Sequence, residues 1–323
     1  MTEHEHLLDP ELRDAALFMR ETMAEYTPMT RRKLAKRRKW MDANGLPPLG
    51  DVPFKEHRIA RPASCGEGPA VVVYAVNAKP GSSRPGILHI HGGGFTASTA
   101  LLGLRNVQAL AAELDVTIVT VEYRLAPETI WPGALHDSYA ALLWMHGHAT
   151  ELGVDPARIA VAGESAGGGH AALLTILARD RGEVPIAFQC LTYPMLDDRS
   201  GTSRAMAGHI GAFGWSPEAN RFGWHSYLGC RPGGRKVPRE AVPARIDDLS
   251  SLPPAWIGVG GLDLFVEEDI EYAARLNRAG VPTELLLVPG AFHGFDVFVT
   301  GAGVSLRFTA ARLDALRRGL GIA

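Results

Sequence analysis

Ser165 stands in Gly163-Glu164-Ser165-Ala166-Gly167, directly after the apolar run Ile159-Ala160-Val161-Ala162. A serine hydroxyl is a poor nucleophile at neutral pH, so one that attacks a carbonyl must sit exposed on a sharp turn with a base in hydrogen-bond reach. Gly-x-Ser-x-Gly after a strand meets the first demand: small residues let a strained strand-to-helix elbow close on the sheet, with the helix N-terminus aimed at the nucleophile. Taken alone, the pentapeptide equally fits a Gly-rich turn carrying a surface serine. A second glycine run, His91-Gly92-Gly93-Gly94-Phe95, follows Ile87-Leu88-His89-Ile90. Consecutive glycines cost backbone entropy, which points to main-chain N–H groups that must stay free, as a tetrahedral oxyanion requires. A phosphate cradle would need the lysine of a P-loop, and neither stretch matches G-x-G-x-x-G in a dinucleotide context.

A base and its orienting acid are expected further along, in the order serine, acid, histidine. Asp263 lies in Gly260-Gly261-Leu262-Asp263, past the run Ala255 to Val259, and His293 lies in Ala291-Phe292-His293-Gly294-Phe295, past Glu284 to Val288. Loops at the carboxyl ends of parallel strands converge on one sheet edge, so Ser165, Asp263 and His293 can meet. His293 would take the serine proton and Asp263 would fix its tautomer. Glu267, Glu268 and Asp269 fall in a helical first turn, where the dipole favours carboxylates without catalytic duty. Asp296 is too near His293 in the chain to be the first choice of orienter. The pairs His89/His91 and His146/His148 lack a carboxylate or third histidine in ligand spacing, so no metal is expected.

Elements that could position these residues appear from about residue 54, where short apolar runs alternate with amphipathic ones. The runs are 71–76, 87–90, 116–121, 159–162, 188–193, 255–259 and 284–288, and several lack polar alternation, as strands covered on both faces do. Segments 134–146, 166–179 and 267–279 are long enough for crossover helices, and 305–320 for a closing helix. This predicts an α/β fold with a mostly parallel central sheet, helices on both faces and a helical cap. Residues 1–53 read as a helical, N-terminal part of the cap, with Leu12, Ala16 and Met19 on one face, ending near Gly45-Leu46-Pro47-Pro48. The Gly-, Arg- and aromatic-rich stretch from about 197 to 243 is too long for a plain crossover and reads as a cap insertion within the catalytic domain 54–323. The basic run Arg31 to Lys39 is short and is read as a solvated helix face.

The chain's 323 residues suit one catalytic core plus a cap, and a 46% hydrophobic share leaves enough material for a buried sheet. A formal net charge of −2 gives no broad attraction to nucleic acid or anionic lipid. Cys65, Cys190 and Cys230 form neither a disulfide framework nor a zinc motif. The charged N-terminus lacks a signal-peptide apolar stretch, and no run is long enough to span a bilayer. A soluble, unexported, cytoplasmic protein acting on a small molecule is expected.

Five segments in order resemble the hormone-sensitive-lipase-like family of bacterial esterases, also called family IV carboxylesterases. They are His91 to Phe95; Tyr123-Arg124-Leu125-Ala126-Pro127-Glu128 with Trp131-Pro132 and Asp137; Gly163 to Gly168; Asp263 with Glu267-Glu268; and Phe292 to Phe295. The resemblance runs from about residue 54 to the C-terminus. It implies an α/β-hydrolase fold and an oxyanion hole built from the N–H groups of Gly93, Gly94 and Ala166, with His91 ordering the loop. It also implies a structural cluster of Arg124, Glu128 and Asp137, no cofactor, and short-chain ester substrates. Glu164 stands where the larger subgroup has aspartate, and Leu264 where many members have proline. Family caps cover the acyl and alcohol pockets, which makes Phe95, Tyr193, Phe213, Trp215 and Leu264 candidate substrate contacts. Family members are often homodimers. A lactone hydrolase would use the same machinery, and a ligand-binding receptor, as in the plant gibberellin receptors, would lack the histidine that is present here.

Overall fold

A strand buried on both faces has no polar side to spare. That holds for β3 (Arg84–Ile90), β4 (Thr117–Glu122), β5 (Val154–Glu164), β6 (Phe188–Thr192) and β7 (Ala255–Gly260), whose central residues are almost all buried. The structure is a computed structural model that describes residues 3–322. With β1 (Phe54–Ile59), β2 (Val71–Val76) and β8 (Thr283–Val288) these strands form one sheet in the order β1-β2-β4-β3-β5-β6-β7-β8. Only β2 runs against the rest, pairing antiparallel with both β1 and β4.

The chain opens with α1 (Arg13–Ala24) and α2 (Arg31–Asn44), and α3 (Ala100–Leu114) joins β3 to β4. Next come α4 (Gly133–Gly147), α5 (Ala149–Leu152) and α6 (Ala166–Arg181), followed by α7 (Pro217–Leu228) inside the long insertion. The chain closes with α8 (Val266–Arg278), α9 (Phe295–Phe298) and α10 (Gly303–Leu320). Two apolar cores result, one on each sheet face. One joins α3, α10, the N-terminal helices and the insertion; the other joins α4, α6 and α8.

Every apolar run read from the sequence is a strand, and the four predicted helices are present within a few residues. Outside the insertion, two elements of more than four residues escaped that reading. β1 carries Lys55, Glu56, His57 and Arg58 on an exposed edge, so it has no apolar signature. α3 begins at the cap residue Thr99, whose hydroxyl accepts from the Leu102 N–H, and follows the glycine run too closely to stand out.

The basic helix α2 is only partly a solvated face. Arg31, Arg32, Lys36 and Lys39 are exposed, whereas Arg38 is built into the body of the protein. Its Nε donates to the Thr96 carbonyl at 2.7 Å, and one terminal nitrogen donates to the Ala126 carbonyl at 2.9 Å. Both terminal nitrogens also meet the Glu128 carboxylate at 2.9 Å. Glu128 therefore anchors the N-terminal helices, while Asp137 pairs with Arg124 and Arg61, so the expected cluster of Arg124, Glu128 and Asp137 is divided between two tasks. No described helix is long and apolar enough to cross a membrane.

Candidate active site

Ser165 joins β5 to α6 with φ +57°, a region L-residues seldom adopt. Its N–H donates to the Thr192 carbonyl at 2.9 Å, and its carbonyl accepts from Gly169 and Met195, so the neighbouring strand and the next helical turn hold the strained bend in place. The elbow needs Gly167, where a Cβ would run into the Ile90 and His91 backbone. The loops after β5, β7 and β8 bring three predicted residues together. His293 Nε2 lies 2.9 Å from Ser165 Oγ, and His293 Nδ1 lies 2.7 Å from Asp263 Oδ2. Asp263 is fully buried, and its other oxygen accepts from the Phe265 N–H at 3.0 Å. Phe265 sets its ring edge-on to the imidazole at 5.1 Å, which restricts tilting of the base.

The glycine loop lies beside Ser165. Among the described residues, no acceptor is bonded to the N–H of Gly93, Gly94 or Ala166. Gly94, at φ +62°, passes under the Trp215 indole so closely that a Cβ would overlap the ring. His91 lies behind the loop: it stacks on Tyr123 at 4.2 Å, its Nδ1 is 2.8 Å from the Gly92 carbonyl, and burial pulls it down to about 4, so it is neutral at pH 7. His89 points elsewhere, placing Nδ1 2.9 Å from Thr120 Oγ1 and Nε2 2.9 Å from Glu164 Oε2.

A cavity of about 610 Å³ opens onto Ser165 and His293. Its roof holds Met19, Met23, Arg37 and Met41 from α1 and α2, and its sides are α3 and α10. The sequence reading did not identify its polar floor. Glu164 faces Arg312 at 3.8 Å, and the Tyr193 hydroxyl donates to Asp296 at 2.9 Å. Burial alone would raise Glu164, but His89 and Arg312 hold its carboxyl below the usual range; burial raises Asp296 despite Arg312. The signal was present in α10, where Arg312 interrupts the row Phe308, Leu316 and Leu320 at four-residue spacing. An arginine on a buried stripe marks a polar partner inside.

Of the five candidate substrate contacts, Tyr193 and Trp215 line this cavity. Phe95, Phe213 and Leu264 are buried away from it. Phe95 turns inward at φ +64° and stacks on Tyr227 at 4.3 Å; Phe213 lies in the cap core under Arg20; Leu264 packs against Gly211. The chemistry of an aromatic residue was legible, but the side of the wall it occupies depends on tertiary packing. Glu268 and Asp269 are buried rather than solvated, and Glu268 accepts from the Leu196 and Asp197 N–H groups, bracing the start of the insertion.

Known proteins resemble this chain in sequence and in fold. Esterase LipI of Mycobacterium tuberculosis is 38% identical over 74% of this chain and 72% of its own length. Carboxylesterase NlhH of the same species is 37% identical over 73% and 74%. Among solved structures, a bacterial heroin esterase superposes over 98% of this chain and 99% of its own, with a TM-score of 0.85 and 39% identity. Residues 87–297 match the family profile described as alpha/beta hydrolase fold. The chain belongs to the α/β-hydrolase family, in its hormone-sensitive-lipase-like branch.

Proposed function

We propose that this protein is a serine carboxylesterase that hydrolyses short-chain carboxylic esters through an acyl-enzyme. The observation carrying this reading is the continuous hydrogen-bonded line from Ser165 Oγ through His293 to buried Asp263, beside three amides without acceptors. Ser165 Oγ attacks the ester carbonyl as His293 Nε2 takes its proton, and the N–H groups of Gly93, Gly94 and Ala166 receive the oxyanion. The imidazolium returns the proton to the departing alkoxide, leaving Ser165 acylated. Water then attacks, gives a proton to His293 and releases the acid as the serine oxygen recovers that proton. Asp263 holds the tautomer and stabilises the imidazolium throughout. Each step needs only these groups and water.

A bounded cavity of about 610 Å³ with Glu164, Arg312 and Asp296 in its floor supports the chain-length preference, because an aliphatic chain laid over those groups would strip them of water. Tyr193 and Trp215 are the contacts we assign to substrate. The cap divides as 1–53 and about 197–243. A homodimer completes the reading, with edge strand β8 exposing Leu285 and Leu287; light scattering that returns the mass of one chain would remove it. The deciding experiment is fluorophosphonate labelling alongside turnover of acetyl to hexanoyl test esters. Both are expected for the native protein and neither for Ser165→Ala. A folded native protein that fails to label would instead support a binding role.

A further inference from the structure

The cavity roof contains a cation without a counter-charge. Arg37, on α2, sits with its guanidinium 5.6 Å from the centre of the Trp215 ring, and among the described residues it has no hydrogen-bond or ion-pair partner. Burial pulls its pKa below the ordinary value, and no carboxylate contributes to it. The other charges lining the cavity are engaged: Arg312 lies between Glu164 and Asp296, Glu164 meets His89, Asp296 meets Tyr193, and Glu113 pairs with Arg317 at 2.7 Å. The next residue on the helix, Arg38, is spent on Thr96, Ala126 and Glu128.

The indole against which Arg37 rests is held in place. The Trp215 Nε1–H donates to Asn220 at 3.2 Å, so the indole cannot turn freely, and it also faces Gly94 and the His293 ring, 6.4 Å between centroids. One indole thus separates a free guanidinium from the imidazole beside Ser165. A half-buried cation that stacks on an aromatic ring keeps all its in-plane N–H donors available, and a planar fork of this kind matches a carboxylate.

We propose that Arg37 is a specificity-determining residue that binds a carboxylate carried by the substrate remote from the scissile ester bond, so that half-esters of dicarboxylic acids, or esters of alcohols bearing a carboxylate, form the favoured class. The inference rests on the esterase reading above. Its test uses the full chain and two matched pairs of esters. On the acyl side, mono-4-nitrophenyl glutarate is compared with 4-nitrophenyl butyrate; on the alcohol side, 4-acetoxybenzoate is compared with phenyl acetate.

Arg37→Met, which keeps the stacked stem, is expected to lower kcat/KM for the charged member of one pair by about tenfold or more relative to its neutral partner, mainly through KM. Arg37→Lys should recover part of that ratio. Arg32→Met, which removes an exposed charge from the same helix, should leave it unchanged and so controls for long-range attraction. The pair that responds identifies the side of the ester bond on which the carboxylate lies. Equal losses on charged and neutral esters in both pairs, or no loss, overturn the proposal while leaving the esterase reading intact. Failure of the native protein to hydrolyse the neutral esters refutes the esterase reading itself.

Discussion

Gly93 shows how much one residue type is asked to do. It adopts φ +123°, and a Cβ there would overlap the Ala97 carbonyl, which accepts no rearrangement because Gly93's own carbonyl is bonded to the Thr96 and Ala97 N–H groups. Gly93→Ala must therefore twist the loop and re-aim an amide that we assign to the oxyanion hole. We expect kcat to fall by about 10²-fold or more with fluorophosphonate labelling slowed in parallel, as loss of an oxyanion donor does. Near-native kcat would remove Gly93 from the hole. Ser165, Asp263, His293 and the three glycines were legible because their types are chemically constrained and each follows an apolar run. Arg37 and Arg312 were not, because a charged letter does not reveal whether its partner is water, a carboxylate or a cavity.

Among the elements, α2 has little apolar anchoring, with Leu34 its single buried residue. Arg38 compensates by gripping two carbonyls of the core and a carboxylate. Arg38→Met should raise the rate of amide hydrogen exchange along α2 by about tenfold or more, the loss expected for charge-assisted bonds. Glu128→Gln should do less, since its carboxylate is 63% exposed and the carbonyl bonds remain. Unchanged exchange in Arg38→Met would show that apolar contacts alone hold the helix. The sheet was legible because its strands are nearly uniform apolar runs. The polar edge strand β1 and the cap arrangement were not, since their stability comes from long-range contacts that leave no periodic trace.

At the scale of the whole molecule, a buried histidine couples stability to acid. His170 is fully buried among Phe95, Tyr123 and Tyr227, neither ring nitrogen has a partner among the described residues, and burial pulls it down to about 3. The unfolded chain takes up this proton near pH 6.5 and the folded chain does not. The contribution of His170 is therefore undiminished above pH 6.5 and is lost progressively as pH falls toward 3. Between pH 6.5 and 4.5, His170→Leu should lose less stability than the native chain by about 2 kcal/mol, read from urea unfolding at several pH values. Parallel pH curves would refute this assignment.

The bonds from Arg38 to Thr96 and Ala126 also bear on how such proteins can be recombined. Thr96 lies two residues beyond Gly94, so the helix that roofs the cavity is fastened to the very loop whose amides we assign to the oxyanion. A chimaera that borrowed an N-terminal segment from a relative, without a matching arginine and acceptor at these positions, would inherit a new specificity and a slack catalytic loop at once. Roof and loop form one transplantable module, and the graft junction belongs after Glu128 rather than at the end of α2.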